Sequence, residues 1–261
     1  PAGRLFTSLR LDRAALERHD VRSVDDEAAD AVVAVSSGRS IGDEHLLIVD
    51  PDTGQPSPPL TVGEIWVSGP HVADGYWGRP GATRETFLAT CEASPGRRYL
   101  RTGDLGFLHD GELYITGRHK DLIIVGGRNL YPQDIEYTVE RASRAVRKGS
   151  VAAFAIEGED GEALAVVAEI ERGSLEGDHQ ATVDAIVGDI AANHEVGVVA
   201  IELIRPGAIP KTSSGKIQRR AARREFVDGR FDAVFSWSPS RAGGAVTLQA
   251  AEVVIDHRDP R

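Results

Sequence analysis

The hydrophobic pattern of this chain changes once, near Pro132, and that change constrains the fold more than any other feature. Before it, residues 31–35 (AVVAV), 46–49 (LLIV) and 62–67 (VGEIWV) are short apolar or β-branched runs. They are separated by Asp50-Pro51-Asp52 and Gln55-Pro56-Ser57-Pro58-Pro59. Such spacing predicts short strands joined by turns. Residues 112–116 (ELYIT) and 121–125 (DLIIV) continue it, so the first half is expected to be β-rich, a small barrel or distorted sheet. Pro132 suits a first helical turn, where its missing N–H costs nothing. Ile135, Val139 and Ala142 follow at helical spacing.

Beyond that helix, strands are expected at 150–156 and 164–170. A second amphipathic helix is carried by Val183, Ile186 and Ile190, then come a strand at 196–204 and a basic helix at 217–226. The αββαβα order predicts a small α/β domain with helices packed on a sheet. The fold class is therefore α/β (α+β): a β-rich subdomain over 1–119, a small α/β domain over 120–226 and a C-terminal extension over 227–261.

Composition narrows the function. The net charge is −10, from 30 basic and 40 acidic residues, which argues against general nucleic-acid binding. No apolar run approaches the roughly 20 residues that span a bilayer, and residues 1–10 lack the zones of a signal peptide. The single cysteine, Cys91, has no partner for a disulfide or a metal-binding pair. These features predict a cytoplasmic protein. The chain has no methionine, so Pro1 is not expected to be a native start.

Three segments carry chemistry: Tyr99-Leu100-Arg101-Thr102-Gly103-Asp104, the stretch from Gly117 to Glu136 (GRHKDLIIVGGRNLYPQDIE), and Pro210-Lys211-Thr212-Ser213-Ser214-Gly215-Lys216-Ile217. In this order they resemble the late signature motifs of the acyl-adenylate-forming superfamily. The wording of residues 62–80 and 101–136 is similar to its fatty acyl-AMP ligase branch.

The resemblance implies ATP-dependent activation of a fatty acid to acyl-adenylate. The acyl group would then pass to the phosphopantetheine thiol of an acyl carrier protein or polyketide synthase. It assigns Asp104 and Arg118 to the ribose of ATP, Lys120 to the hinge between two catalytic poses, Gly126 and Gly127 to the path of the thiol, and Lys216 to catalysis.

Chemistry supports these assignments. A carboxylate accepts two hydrogen bonds from a diol, and a guanidinium offers a planar donor fork. Adjacent glycines permit positive φ and close backbone approach. An ammonium on a small-residue loop can bridge the carboxylate and phosphate whose charges build up during adenylation. Taken singly, each has an ordinary alternative: a turn aspartate, a surface arginine, a solvated loop lysine, a tight turn, or a lysine opening a basic helix.

The run Lys211, Lys216, Arg219, Arg220, Arg223 and Arg224 contains no acid. It reads either as a docking surface for an acidic carrier protein or as a solvated helix face. The resemblance also implies ATP/AMP and Mg²⁺ as cofactors. No Ser/Thr/Gly-rich phosphate loop ending in Pro-Lys is present, nor a Tyr-Gly-x-x-Glu segment bearing the magnesium-binding acid. The chain is therefore expected to hold no metal ligand and to make little adenylate alone. An acyl-CoA synthetase and a non-catalytic acyl- or carrier-binding module are the alternatives.

Overall fold

A computed structural model of the chain describes residues 7–25, 27–28, 31–158 and 161–239. The chain divides into two units, the first ending at Leu122 and the second beginning at Ile123.

In the first unit β1 (Ser8–Asp12) leads into one turn of helix, α1 (Arg13–Leu16), and pairs antiparallel with β2 (Ala31–Val35). Asp12 caps α1 by accepting from the Ala15 N–H at 2.6 Å. The main sheet is antiparallel in the order β3 (His45–Val49), β4 (Gly63–Ser68), β5 (Leu100–His109) and β6 (Glu112–Arg118), with α2 (Pro80–Phe87) inserted between β4 and β5.

The β5–β6 hairpin turns on Asp110 and Gly111, whose φ values are +50° and +76°. An Asp-Gly pair with both residues left-handed is a type I′ turn, whose twist matches that of the flanking strands. From that turn the register runs Leu108↔Leu113, Phe107↔Tyr114 and Gly106↔Ile115, then shifts to Leu105↔Gly117 and Asp104↔Arg118. Thr116 is thus one residue more than β5 can match, a β-bulge. Gly106 stands at that shift, where a Cβ would collide with the Tyr114 carbonyl oxygen. Phe107 and Tyr114 stack with ring centroids 5.0 Å apart in the sheet's core.

In the second unit β7 (Ile123–Val125) and β8 (Arg128–Leu130) form a hairpin, and α3 (Pro132–Ala142) begins at Pro132 as the sequence predicts. Then come β9 (Val146–Gly158), β10 (Gly161–Ile170), α4 (His179–His194), β11 (Val198–Ile204), α5 (Arg219–Val227) and β12 (Ala233–Trp237). The sheet order is β12-β11-β10-β9. β10 and β11 run parallel, with α4 as their crossover; the other pairs are antiparallel.

Both faces of this sheet are covered, which explains the near-continuous apolar run of β10. On one face Val151, Val166 and Ile201 pack with Ile135 and Val139 of α3 and with Val183, Ile186 and Ile190 of α4. On the other, Phe154 and Val167 pack with Ala222 and Phe226 of α5. Each such aliphatic or aromatic side chain taken from water contributes about 1.5–3 kcal/mol.

The expected extension from 227 onward needs correction. Val227 closes α5, and residues 233–237 form β12 on the edge of the sheet. Phe235 and Trp237 alternate inward onto the α3/α4 face, and their burial holds the strand there. Residues 240–261 of the expected extension lie outside the described residues. β1 is also a strand that the sequence patterns do not indicate, and β5 continues through Thr102, Gly103 and Asp104, where a turn after a strand is expected. No helix among the described residues is long and apolar enough to cross a membrane.

Candidate active site

In the first unit, Asp104 and Arg118 are direct cross-strand partners. The Arg118 Nε donates to Asp104 Oδ1 at 3.1 Å, with side chains 61% and 42% exposed. Asp104 therefore lies within a strand, not in the turn that Thr-Gly-Asp suggests. The bulge at Thr116 sets this facing: without the shift, Asp104 would pair with Gly117. Asp104 Oδ2 and the terminal guanidinium nitrogens make no further hydrogen bond to a described residue. An acceptor and a donor fork stay open side by side, which suits a vicinal diol with an adjacent polar oxygen.

Below this pair lies a carboxylate that the sequence reading did not single out. Glu64, 4% exposed in its side chain, accepts from Arg101 Nη2 at 2.7 Å and Arg101 Nε at 2.9 Å. It also accepts from Trp66 Nε1 at 2.9 Å and the Gly103 N–H at 3.1 Å. Thr102 donates through Oγ1 to the Ile65 carbonyl at 2.7 Å, and Thr102 Oγ1 accepts from the Asp104 N–H at 3.1 Å. Gly103, at φ +73°, puts a left-handed residue inside β5, a conformation that glycine adopts without strain. The backbone carrying Asp104 is thus fixed from beneath. The only local signal was a charged residue inside the apolar run VGEIWV.

In the second unit, Lys216 sits on a small hairpin. Lys211 and Ile217 form its bridge, and Gln218 N–H donates to the Pro210 carbonyl at 2.9 Å. Thr212 N–H donates to the Lys216 carbonyl at 2.8 Å, and Lys216 N–H returns to Thr212 Oγ1 at 3.0 Å. Gly215, at φ +84°, turns the tip. The Lys216 side chain is exposed and pairs with no described residue. Lys216 therefore lies on the loop ahead of α5 and not within that helix.

The buried Glu169 steadies the entry to this hairpin. It accepts from the Ile209 N–H at 3.0 Å and from Arg147 Nη1 at 2.8 Å. Burial acts to raise its carboxyl, but the Gly207 and Ile209 N–H groups and Arg147 outweigh it and hold the carboxyl below its usual range.

The basic run around Lys216 divides by role. Lys211 Nζ donates to the Gly149 carbonyl at 2.8 Å and to Ser150 Oγ at 2.9 Å. Arg219 grips Glu136 through two bonds of 2.6 and 2.7 Å. Arg223 donates to the Ala155 carbonyl at 2.7 Å. Lys216, Arg220 and Arg224 stay exposed, so only part of the run is available as a docking face.

Gly126 and Gly127 are the two-residue loop of the β7–β8 hairpin, at φ +59° and +77°, with open space around both Cα atoms. Lys120 is exposed in a single 3₁₀ turn, His119–Asp121, two residues before the division between the units.

A family model of AMP-binding enzymes matches residues 19–77. A Disco-interacting protein 2-like AMP domain matches residues 120–235. The medium-chain-fatty-acid–[acyl-carrier-protein] ligase JamA of Moorena producens is 44% identical over 252 residues, covering 92% of this chain and 41% of JamA. The chain belongs to the acyl-adenylate-forming family.

The long-chain-fatty-acid–AMP ligase FadD32 of Mycolicibacterium smegmatis is 38% identical over 251 residues, covering 85% of this chain and 40% of FadD32. A structure from work on fatty acyl-adenylate ligases of E. coli and L. pneumophila superposes with a TM-score of 0.71 at 32% identity, over 85% of this chain and 37% of its own. The chain thus spans about two fifths of the length of these curated relatives.

Among the described residues no group of three or more His, Cys, Asp or Glu side chains comes together to hold a metal ion. These described residues do not form a site for the Mg²⁺ that the resemblance implies.

The Glu64 cluster has a measurable consequence for this family member. Glu64→Ala leaves the buried Trp66 N–H and the Gly103 N–H without their acceptor. The expected cost is about 1.5–3 kcal/mol, the range for hydrogen bonds to a charged group. Denaturant unfolding of the chain followed by Trp fluorescence checks it, and a loss below about 0.5 kcal/mol, typical of a surface substitution, contradicts the bracing role.

Proposed function

We propose that this chain is the C-terminal part of a cytoplasmic fatty acyl-AMP ligase. In the complete enzyme a fatty-acid carboxylate oxygen attacks the α-phosphorus of ATP, and the bond to pyrophosphate breaks to leave acyl-adenylate. The phosphopantetheine thiol of an acyl carrier protein or polyketide synthase then attacks the acyl carbonyl, and AMP departs. The observation that carries this reading is the open Asp104–Arg118 pair, shaped for a diol, in a chain 44% identical to an acyl-carrier-protein ligase.

Each residue has a part in the proposed reaction. Asp104 accepts from the ribose hydroxyls and Arg118 donates to a neighbouring ribose oxygen. Lys216 places its ammonium against the carboxylate and the α-phosphate oxygens, where charge accumulates in the transition state. Lys120 is the hinge position, its short turn absorbing the change in φ and ψ between adenylation and thiol transfer. Gly126 and Gly127 let the pantetheine chain pass close to the backbone, which a side chain there would obstruct.

Product analysis tests the reading. The complete ligase is supplied with ATP, Mg²⁺ and a medium-chain fatty acid, with and without coenzyme A, and products are identified by mass. Acyl-adenylate is expected to persist in the presence of coenzyme A and to be consumed when an acyl carrier protein is added. Efficient formation of acyl-CoA overturns the assignment in favour of an acyl-CoA synthetase.

A further inference from the structure

The proposed reaction depends on Lys216, yet nothing in the hairpin tip fixes where that side chain points. The fixing lies at the hairpin's base. Its entry leg is tied by Lys211 to Gly149 and to Ser150, a residue 1% exposed at the inner part of β9. Its exit leg ends at Arg219, three positions after Lys216 and the first residue of α5.

Arg219 is an odd choice for that position. A cation at a helix N-terminus opposes the helix dipole, and α5 has no side-chain cap to compensate. The guanidinium instead reaches Glu136 in α3, 83 residues earlier, in a two-bond fork of 2.6 and 2.7 Å. Glu136 Oε1 also accepts from the Ala153 N–H of β9 at 3.1 Å. Burial pushes the Glu136 carboxyl above its ordinary range, against the pull of Arg219 and of the Ala153 N–H. Both legs of the hairpin are therefore pinned to one short stretch of β9, residues 149–153.

A largely buried ion pair of this kind, with Arg219 23% and Glu136 9% exposed, is a poor way to gain stability, since well-packed apolar residues commonly do as well or better. What a bidentate fork supplies is direction: it fixes the plane and distance of both partners.

We propose that Glu136 and Arg219 are a positioning pair for Lys216, holding the exit leg of its hairpin so that the ammonium meets the reacting carboxylate and phosphate. The pair touches no substrate; it acts through Lys216. This rests on the functional reading given above.

The test uses the complete ligase and three variants, with ATP–pyrophosphate exchange and thiol transfer from supplied acyl-adenylate measured separately. Arg219→Lys keeps the charge but loses the fork. It is expected to fold with an unchanged Tm and to lower the kcat of exchange about tenfold, with KM for ATP and thiol transfer within about threefold. The double variant Glu136→Met with Arg219→Met replaces the pair by apolar groups. It is expected to keep or raise Tm while exchange falls about 10²-fold, the scale of loss from a misplacement of about 1 Å.

Normal exchange in a folded double variant overturns the proposal and leaves the pair a structural element. So does a parallel fall in exchange and thiol transfer in Arg219→Lys. If the double variant does not fold, the kcat split in Arg219→Lys decides by itself. Lys216→Ala separates the two levels of argument: normal exchange in that variant sinks the functional reading, whereas lost exchange there with normal exchange in both pair variants sinks only the positioning pair.

Discussion

Lys216→Ala in the complete ligase is expected to reduce ATP–pyrophosphate exchange about 10³-fold while leaving the fold untouched. The structural half of this expectation follows from the hairpin. Its internal bonds use only the backbone of Lys216: the carbonyl accepts from Thr212 N–H, and the N–H donates to Thr212 Oγ1. The side chain beyond Cβ is exposed, so truncating it breaks no contact that holds the loop, and stability should change by less than about 0.5 kcal/mol.

The catalytic half follows from charge. Adenylation brings a carboxylate to a polyphosphate, and catalysis of such steps rests mainly on positioning and charge neutralisation. Removing one preorganised charge from a site of this type costs about 10²–10³ in rate or more, and 10³ corresponds to about 4 kcal/mol of transition-state stabilisation. Thiol transfer from supplied acyl-adenylate no longer opposes two anions, so it should fall far less. Exchange within tenfold of the unsubstituted enzyme removes Lys216 from catalysis.

The elements that could be read in the sequence are those whose pattern is local. α3 announces itself by Pro132 and the spacing of Ile135 and Val139, and β10 by an unbroken apolar run. β5 was legible only at its start, because Thr102, Gly103 and Asp104 read as a turn after a strand. They form a strand because Glu64, 39 residues before Gly103, accepts from its N–H and holds Arg101. β12 was hidden by its Gly- and Ser-bearing surroundings, and its pairing with β11 depends on a core built from distant residues.

The site divides in the same way. Asp104, Arg118 and Lys216 stand in recognisable motifs, but Arg219 and Lys211 looked like surface charge. Their partners, Glu136 and Ser150, lie 83 and 61 positions away, and no periodicity in a local window reports such a contact. Even the facing of Asp104 and Arg118 depends on one bulged residue, Thr116, whose presence no local motif signals.

Asp104→Ala should raise the KM for ATP about 10²-fold or more without destabilising the protein. The ion pair it removes joins side chains 42% and 61% exposed, and a pair so placed contributes about 0–1 kcal/mol to stability. Toward a ribose diol the carboxylate offers two charge-assisted hydrogen bonds, each worth about 1.5–3 kcal/mol. Together these amount to two or more decades in affinity, at about 1.4 kcal/mol per decade. Arg118→Ala should cost less, because Glu64, Thr102 and Gly103 still fix the backbone carrying Asp104. The diol itself supplies the decisive control. In the unsubstituted enzyme 2′-deoxy-ATP and 3′-deoxy-ATP should each bind about tenfold or more worse than ATP, since each lacks one donor to the carboxylate. In the Asp104→Ala enzyme that difference should vanish, because no acceptor remains to sense the missing hydroxyl. A deoxy-ATP penalty that survives the substitution places the diol against another group and removes Asp104 from ribose recognition.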